Sequence, residues 1–235
     1  MADANSRLYV IGDIHGRLDL LDQLIDAIHR DADQFGGNCL TVTLGDYIDR
    51  GPNSRGVIER LMANPFPGKY VALKGNHEAL LAAFLDDPAV GLQWRHLGGL
   101  ETLQSFGLPV GQLMLNRDYD RAAEQLRAKL LPEHLKFLHS LKTSLTIGHY
   151  FLCHAGVRPG VALDRQREED LLWIRDEFLY CEDNFGKIVV HGHTPVEKPE
   201  FLSNRINIDT GAFATGRLTC VVLEAEKYSF ISTAA

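Results

Sequence analysis

Three times before residue 80 the chain passes from a short apolar run, through a polar loop, to apolar residues at helical spacing. Leu8 to Ile11 form a β-rich run, and Leu18, Leu21, Ile25 and Ile28 then recur on one face through RLDLLDQLIDAIHR. The pattern repeats with CLTVTL at 39–44 and a helix from about Ser54 that places Val57, Ile58 and Leu61 together. It repeats once more with YVALK at 70–74 and a helix running to about Leu85. Such alternation predicts an α/β sheet. From about Asp86 to Ser140 the strand signals stop. Trp94, Leu97, Leu100 and Leu103 recur every third residue there, which reads as a helical insert. Strands resume at SLTIG, HYFLCH, KIVVHG, RINID, LTCVVL and YSFIS, set apart by Gly, Asn or Asp turns, and are expected to form a second sheet face. The expected fold is α/β: one domain over 1–235, a two-layered mixed β-sheet sandwich flanked by helices, with the insert at about 86–140.

Composition narrows the setting. The chain has 235 residues, 45% hydrophobic and 23% charged, enough to bury one sizeable core. A formal net charge of −7 and a pI near 5.8 argue against nucleic acid or an anionic membrane as partner. Cys39, Cys153, Cys181 and Cys220 form no CxxC pair, so neither a thiolate zinc site nor a disulfide framework is expected, and a reducing compartment fits. The start, MADANSRLYVIGD, holds only the apolar run Leu8 to Ile11, too short for a signal sequence. No later stretch approaches ~18 apolar residues. The expected location is the cytoplasm.

The chemistry-bearing residues lie where the strands end. Gly12-Asp13-Ile14-His15-Gly16 follows the first strand, Gly45-Asp46-Tyr47-Ile48-Asp49-Arg50-Gly51 the second and Gly75-Asn76-His77-Glu78 the third. Later strands supply Cys153-His154-Ala155-Gly156 and His191-Gly192-His193-Thr194-Pro195. Ligands bind outside the carboxyl ends of strands in α/β sheets, so these loops should converge. An inventory of His, Asp and Asn suits a pair of divalent ions such as Mn, Fe or Zn. Each element alone has a plainer meaning. A Gly-Asp after a strand is ordinary turn chemistry, and a lone histidine is usually structural. His29, His96, His134, His139 and His149 keep that plain reading. Five ligand-bearing segments at successive strand ends do not.

In their order, GDIHG, GDYIDRG, GNHE, CHAG and HGHTP resemble the phosphoprotein phosphatase branch of the calcineurin-like metallophosphoesterases, over residues 8 to about 223. WIRDEF at 173–178 and IDTGAF at 208–213 are similar to the bacterial and phage-type serine/threonine phosphatases. The resemblance implies that Asp13 and His15 bind one metal, that Asp46 bridges two, and that Asn76, His154 and His193 complete the second. It further implies that Arg50 and Arg175 hold the phosphate, that His77 paired with Asp49 donates a proton, and that Glu78 supports the site. Physical reasoning agrees. A carboxylate such as Asp46 can span two ions about 3.5–4 Å apart, and a metal-bridging hydroxide can attack phosphorus directly. Two divalent cations outweigh the carboxylates of Asp13 and Asp46, which would attract phosphate to an acidic protein. Guanidinium forks offer paired donors to its oxygens.

The expected function is hydrolysis of phosphoserine, phosphothreonine or phosphotyrosine proteins, with manganese as the first candidate metal. The expected partner is a phosphoprotein or small phosphoester. Three alternatives stand beside it. Diadenosine tetraphosphatases are also similar, but their motifs typically lack the DRG aspartate and read GNHD, where this chain has Asp49 and Glu78. A nucleic-acid-end phosphatase sits poorly with the acidic balance. A metal-free interaction module would require lost ligands, and no ligand position is missing.

Overall fold

The computed structural model describes residues 6–115, 117–225 and 227–233, and its first strand already divides the apolar residues between two layers. The first five residues of the N-terminal stretch, read above as carrying no signal sequence, lie outside the described residues. In β1 (Ser6–Ile11), Leu8 and Val10 face the space between two sheets, while Tyr9 and Ile11 face the helices. Then follow α1 (Leu18–Phe35), β2 (Asn38–Thr43), α2 (Ser54–Met62), β3 (Lys69–Ala72) and α3 (Asn76–Asp86). β1, β2 and β3 are parallel neighbours, as successive βα units require.

The insert comprises α4 (Gly91–His96), α5 (Gly99–Ser105), α6 (Val110–Leu115), α7 (Tyr119–Lys129) and α8 (Pro132–Ser140). The stripe from Trp94 to Leu103 is not one helix, because Gly98 takes a left-handed φ of 99° and turns the chain between α4 and α5. Trp94 and Leu103 are nonetheless buried in the helical core beside β1.

β4 (Ser144–Ile147) and β5 (Tyr150–Cys153) open a second sheet. α9 (Glu168–Trp173) and α10 (Asp176–Leu179) cover it, and β6 (Ile188–His191), β7 (Glu200–Phe201) and β8 (Arg205–Asn207) extend it in the order β4-β5-β6-β8-β7. The two-residue β7 was too short to give a sequence signal. After α11 (Ala212–Thr215) come β9 (Thr219–Glu224) and β10 (Lys227–Ser232).

These last two strands correct the expectation that every late strand belongs to the second face. β9 pairs antiparallel with β1 and β10 with β9, which gives a first sheet ordered β10-β9-β1-β2-β3. LTCVVL can lie at the middle of a sheet because it is apolar on both sides: Val221 and Leu223 enter the space between the sheets, and Cys220 and Val222 face the helices. That space is filled by Leu8, Val10, Val42, Leu44, Leu152, Val190 and Ile206 among others, each worth about 1.5–3 kcal/mol when fully buried. Two mixed five-stranded sheets with flanking helices thus make an α/β sandwich. All four cysteines are free. Among the described residues, no helix is long and apolar enough to cross a membrane.

Candidate metal centre

The loops after β1, β2, β5, β6 and β8 and the start of α3 meet at one edge of the sandwich, and the backbone ties them together. The amides of Ile14 and His15 donate to the Asp46 carbonyl (3.1 and 2.8 Å), and Gly16 N donates to Tyr47 O (2.8 Å). Gly192 N donates to His154 O across the second sheet (2.8 Å). His15, Asp46, Asp49, Arg50 and His193 all have φ between 45° and 71°. Left-handed backbone costs a non-glycine residue about 1–2 kcal/mol, so strain is concentrated at this edge.

Asp46 sits between two clusters. Its Oδ2 lies 3.4 Å from His15 Nε2 and 3.7 Å from His77 Nε2, and its Oδ1 lies 3.4 Å from His154 Nε2. His154 Nε2 is in turn 2.8 Å from Asn76 Oδ1 and 3.2 Å from His193 Nδ1, and those two are 2.9 Å apart. Asp13 accepts from His193 N (3.1 Å) and does not join the tight group of His15, Asp46 and His77.

The donor set fits divalent cations. His15 Nδ1 is engaged with the Ile48 carbonyl (2.8 Å), which leaves Nε2 a buried lone pair without a partner. His154 Nδ1 is engaged with the Leu44 carbonyl (3.1 Å), so its Nε2 lone pair points at Asn76 Oδ1 and His193 Nδ1. Three such atoms within 3.2 Å of one another, with Asp46 Oδ1 3.4 Å from His154 Nε2, suit a cation between them. Burial, then neighbouring histidine charge, holds His15 and His154 well below the usual imidazole range. Burial and Arg175 bring His193 down to about 3. Neutral imidazoles are what metal ligation requires.

The carboxylates tell the same story from the other side. Burial, then the charges of Asp209 and Asp46, pushes Asp13 well above the carboxylate range, and burial also raises Asp46. Asp209 rises to about 6, with burial first and Asp46 adding to it. Glu78 rises to about 7, again through burial and then Asp46. Bound cations would relieve this crowding.

Beside the clusters, His77 Nδ1 donates to Asp49 Oδ2 at 2.6 Å. Burial works against its charge, but Asp46 and Asp49 outweigh it and raise His77 above the usual imidazole value. Arg50 Nη2 lies 3.3 Å from His77 Nε2, and its guanidinium rests 4.7 Å above the Phe213 ring. Arg175 is exposed at the start of α10, where its charge acts on His193.

Sequence reasoning assigned no role to several residues found here. Asp209 follows β8 as Asp13 follows β1, so the same strand-end signal was present within IDTGAF. Phe213, on α11 of that motif, packs edge-on to His15 with centroids 5.5 Å apart. Trp94 Nε1 and Thr102 Oγ1 both donate to Asp49, contacts that no local pattern reveals.

The family model for calcineurin-like phosphoesterases matches residues 6–221. The chain therefore belongs to the calcineurin-like phosphoesterase family, whose members are divalent-metal-dependent hydrolases. It is 29% identical over 235 residues to serine/threonine-protein phosphatase 2 of Salmonella typhimurium, covering 93% of this chain and 95% of that one. It is 26% identical over 237 residues to the asymmetrical bis(5'-nucleosyl)-tetraphosphatase PrpE of Anoxybacillus flavithermus, covering 90% and 88%. The fold also matches a cold-active protein-tyrosine phosphatase of a psychrophilic Shewanella species, with a TM-score of 0.61 at 17% identity, over 98% of this chain and 82% of that one.

Proposed function

We propose that the chain is a two-metal phosphomonoesterase acting on phosphoserine and phosphothreonine proteins, with phosphotyrosine within its chemical reach. The 2.6 Å contact between His77 and Asp49 carries this reading. An alkoxide leaving from phosphoserine is a strong base and needs a proton, whereas a nucleotide leaving from a dinucleoside polyphosphate departs as a stable anion. A histidine buttressed by a buried carboxylate is of most use to the first.

Asp13, His15 and Asp46 would hold one ion, and Asp46, Asn76, His154 and His193 the other. When bound, such ions lower the pKa of a coordinated water and carry part of the charge that develops on phosphate. The protein's own residues do the rest. Arg50 and Arg175 clamp the phosphate oxygens, Asp46 sets the spacing of the two clusters, and His77 Nε2 delivers the proton to the departing oxygen while Asp49 holds the opposite nitrogen. The same chemistry accommodates small phosphoesters, and nothing in the acidic balance favours nucleic acid.

Phe213 favours a second reading. Its ring is 37% exposed at the mouth of the site, where an adenine could stack, an interaction worth about 1–3 kcal/mol. This is the geometry a dinucleoside tetraphosphate hydrolase could use. Turnover of a phosphothreonine peptide, diadenosine tetraphosphate and a 2',3'-cyclic nucleotide, measured side by side with manganese, separates the readings. The peptide is expected to lead in kcat/KM by about tenfold or more, the factor that follows from ~1.4 kcal/mol of transition-state preference. A lead for the dinucleotide transfers the assignment to the second reading, and turnover of the cyclic nucleotide alone overturns both.

A further inference from the structure

We propose that Trp94 and Thr102, both in the helical insert, are positioning residues for the proton donor: they fix the Asp49 carboxylate and, through it, the His77 ring. The inference rests on the proton-donor reading above and extends it to residues on a different part of the fold.

Asp49 is fully buried, and each of its oxygens is taken. Oδ2 accepts from His77 Nδ1 (2.6 Å) and from Trp94 Nε1 (2.8 Å), and Oδ1 accepts from Thr102 Oγ1 (2.5 Å). Its own amide donates to Ser54 Oγ (3.0 Å) and Thr102 Oγ1 (2.9 Å). One residue on, Arg50 N donates to the carbonyl of Gly98, at the turn between α4 and α5 (3.1 Å). A Cβ on Gly98 would lie 2.7 Å from Arg50 N, so this turn must approach as bare backbone. Asp49 and Arg50 are consecutive left-handed residues, with φ of 71° and 65°. The α4–α5 elbow therefore grips the strained pair at three points: side chain, amide and the following amide.

A plainer account makes Trp94 a core aromatic whose N–H happened to find an acceptor. Trp94 is 1% exposed and packs at a tilt against Phe84, so it does serve the core. Its N–H, however, reaches the single carboxylate that also orients His77, and Thr102 closes the opposite oxygen. A carboxylate held at one oxygen can rotate about its last torsion. Held at both, it defines a plane, and the imidazole bonded to it acquires one direction for Nε2. Preorganisation of this kind is what a proton transfer needs. The consequence is that the insert, besides bounding the site, governs delivery of the proton.

The test uses Trp94→Phe, which keeps the ring and removes the N–H, and Thr102→Val, which keeps the shape and removes the hydroxyl, with Thr102→Ser as the conservative partner. Each full chain, loaded with manganese and checked for metal content and thermal melting, is assayed with phenyl phosphate and p-nitrophenyl phosphate. Phenolate is much the stronger base, with a conjugate-acid pKa close to tyrosine's ~10. General acid catalysis is worth ~10²–10⁴-fold, and loss of positioning should remove a fraction of it. We expect kcat for phenyl phosphate to fall about 10- to 100-fold and for p-nitrophenyl phosphate several-fold less, with KM nearly constant and Thr102→Ser restoring most of the loss. A common factor for both esters, or wild-type rates in Thr102→Val, overturns the proposal. If Trp94→Phe does not fold, the Thr102 pair decides. If the wild-type protein hydrolyses neither ester, the phosphomonoesterase reading fails on its own. Positioning is then read from the His77 Nδ1 proton resonance in ¹⁵N-histidine-labelled protein. Displacement in Thr102→Val and return in Thr102→Ser support it, and an unmoved resonance overturns it.

Discussion

Glu78 and Arg175 sit at opposite ends of what a single residue can disclose. Glu78 reaches no histidine. Its Oε2 accepts from the amides of Asp46 and Gly75 (both 2.9 Å) and its Oε1 from Tyr47 (2.8 Å), so its carboxylate is spent on holding the backbone around Asp46. Arg175 is exposed and makes its mark through charge on His193. If it clamps phosphate, Arg175→Lys replaces a paired fork by a point charge. The Michaelis constant and the inhibition constant of inorganic phosphate should then both rise about tenfold, since a charged hydrogen bond contributes ~1.5–3 kcal/mol. Unchanged phosphate inhibition would return it to the surface. That Asp13, His15, Asp46, Asn76, His154 and His193 would meet at one edge could be read from the sequence, because each follows a strand and strand ends converge. Trp94 and Thr102 could not, because their meaning arises from contacts with Asp49 across 45 and 53 residues. Trp94 in particular belongs to a stripe of apolar positions, and a stripe reads as core.

Among the elements, α3 shows how tightly the site is built. Its first turn carries Asn76, His77 and Glu78, and Gly75 precedes it in extended backbone with φ −97°. A Cβ on Gly75 would lie 2.1 Å from Asp46 Oδ1 and 2.3 Å from Asp46 N. Gly75→Ala must therefore displace either the Asp46 carboxylate or the helix, with a loss of about 1–3 kcal/mol from overpacking and of most activity. Gly111→Ala, in α6 with nothing within 4 Å, is expected to keep wild-type turnover and gain about 0.5–1 kcal/mol. Melting and p-nitrophenyl phosphate turnover of the two variants check the contrast, and an active Gly75→Ala protein would show that the α3 start can yield. The βα units were legible because a short apolar run gives way, after a polar loop, to apolar residues at a spacing of 3.6. The assignment of β9 and β10 was not, since a strand apolar on both sides fits the middle of either sheet, and only the unfilled edge of β1 decides between them.

Taken whole, the molecule buries more negative charge at one edge than it can neutralise by itself. Asp13 and Glu78 have folded-state values above their ordinary 3.8 and 4.5, Glu78 at about 7. The folded state then keeps protons that the unfolded chain has already lost, so the associated stability is complete below the ordinary values and disappears as pH rises through the folded ones. The lowered histidines act oppositely, but only below about their ordinary value of 6.5. The chelated protein should therefore melt at progressively lower temperature from pH 6.5 to 8. Manganese should flatten that slope, and about 2.7 kcal/mol is available at a hundredfold excess over Kd. A chelated protein that gains stability over the same range would contradict the crowding of carboxylates. The sheet order has a consequence of another kind. β1 lies between β2 and β9, and Leu8 pairs with Leu223, so a chain emerging from the ribosome presents one bare, apolar edge of β1 until more than 200 further residues have been made. Such long-range closure makes refolding slow and leaves the nascent protein open to strand-on-strand association, so yield in expression should depend on chaperones and on temperature more than the finished fold would suggest.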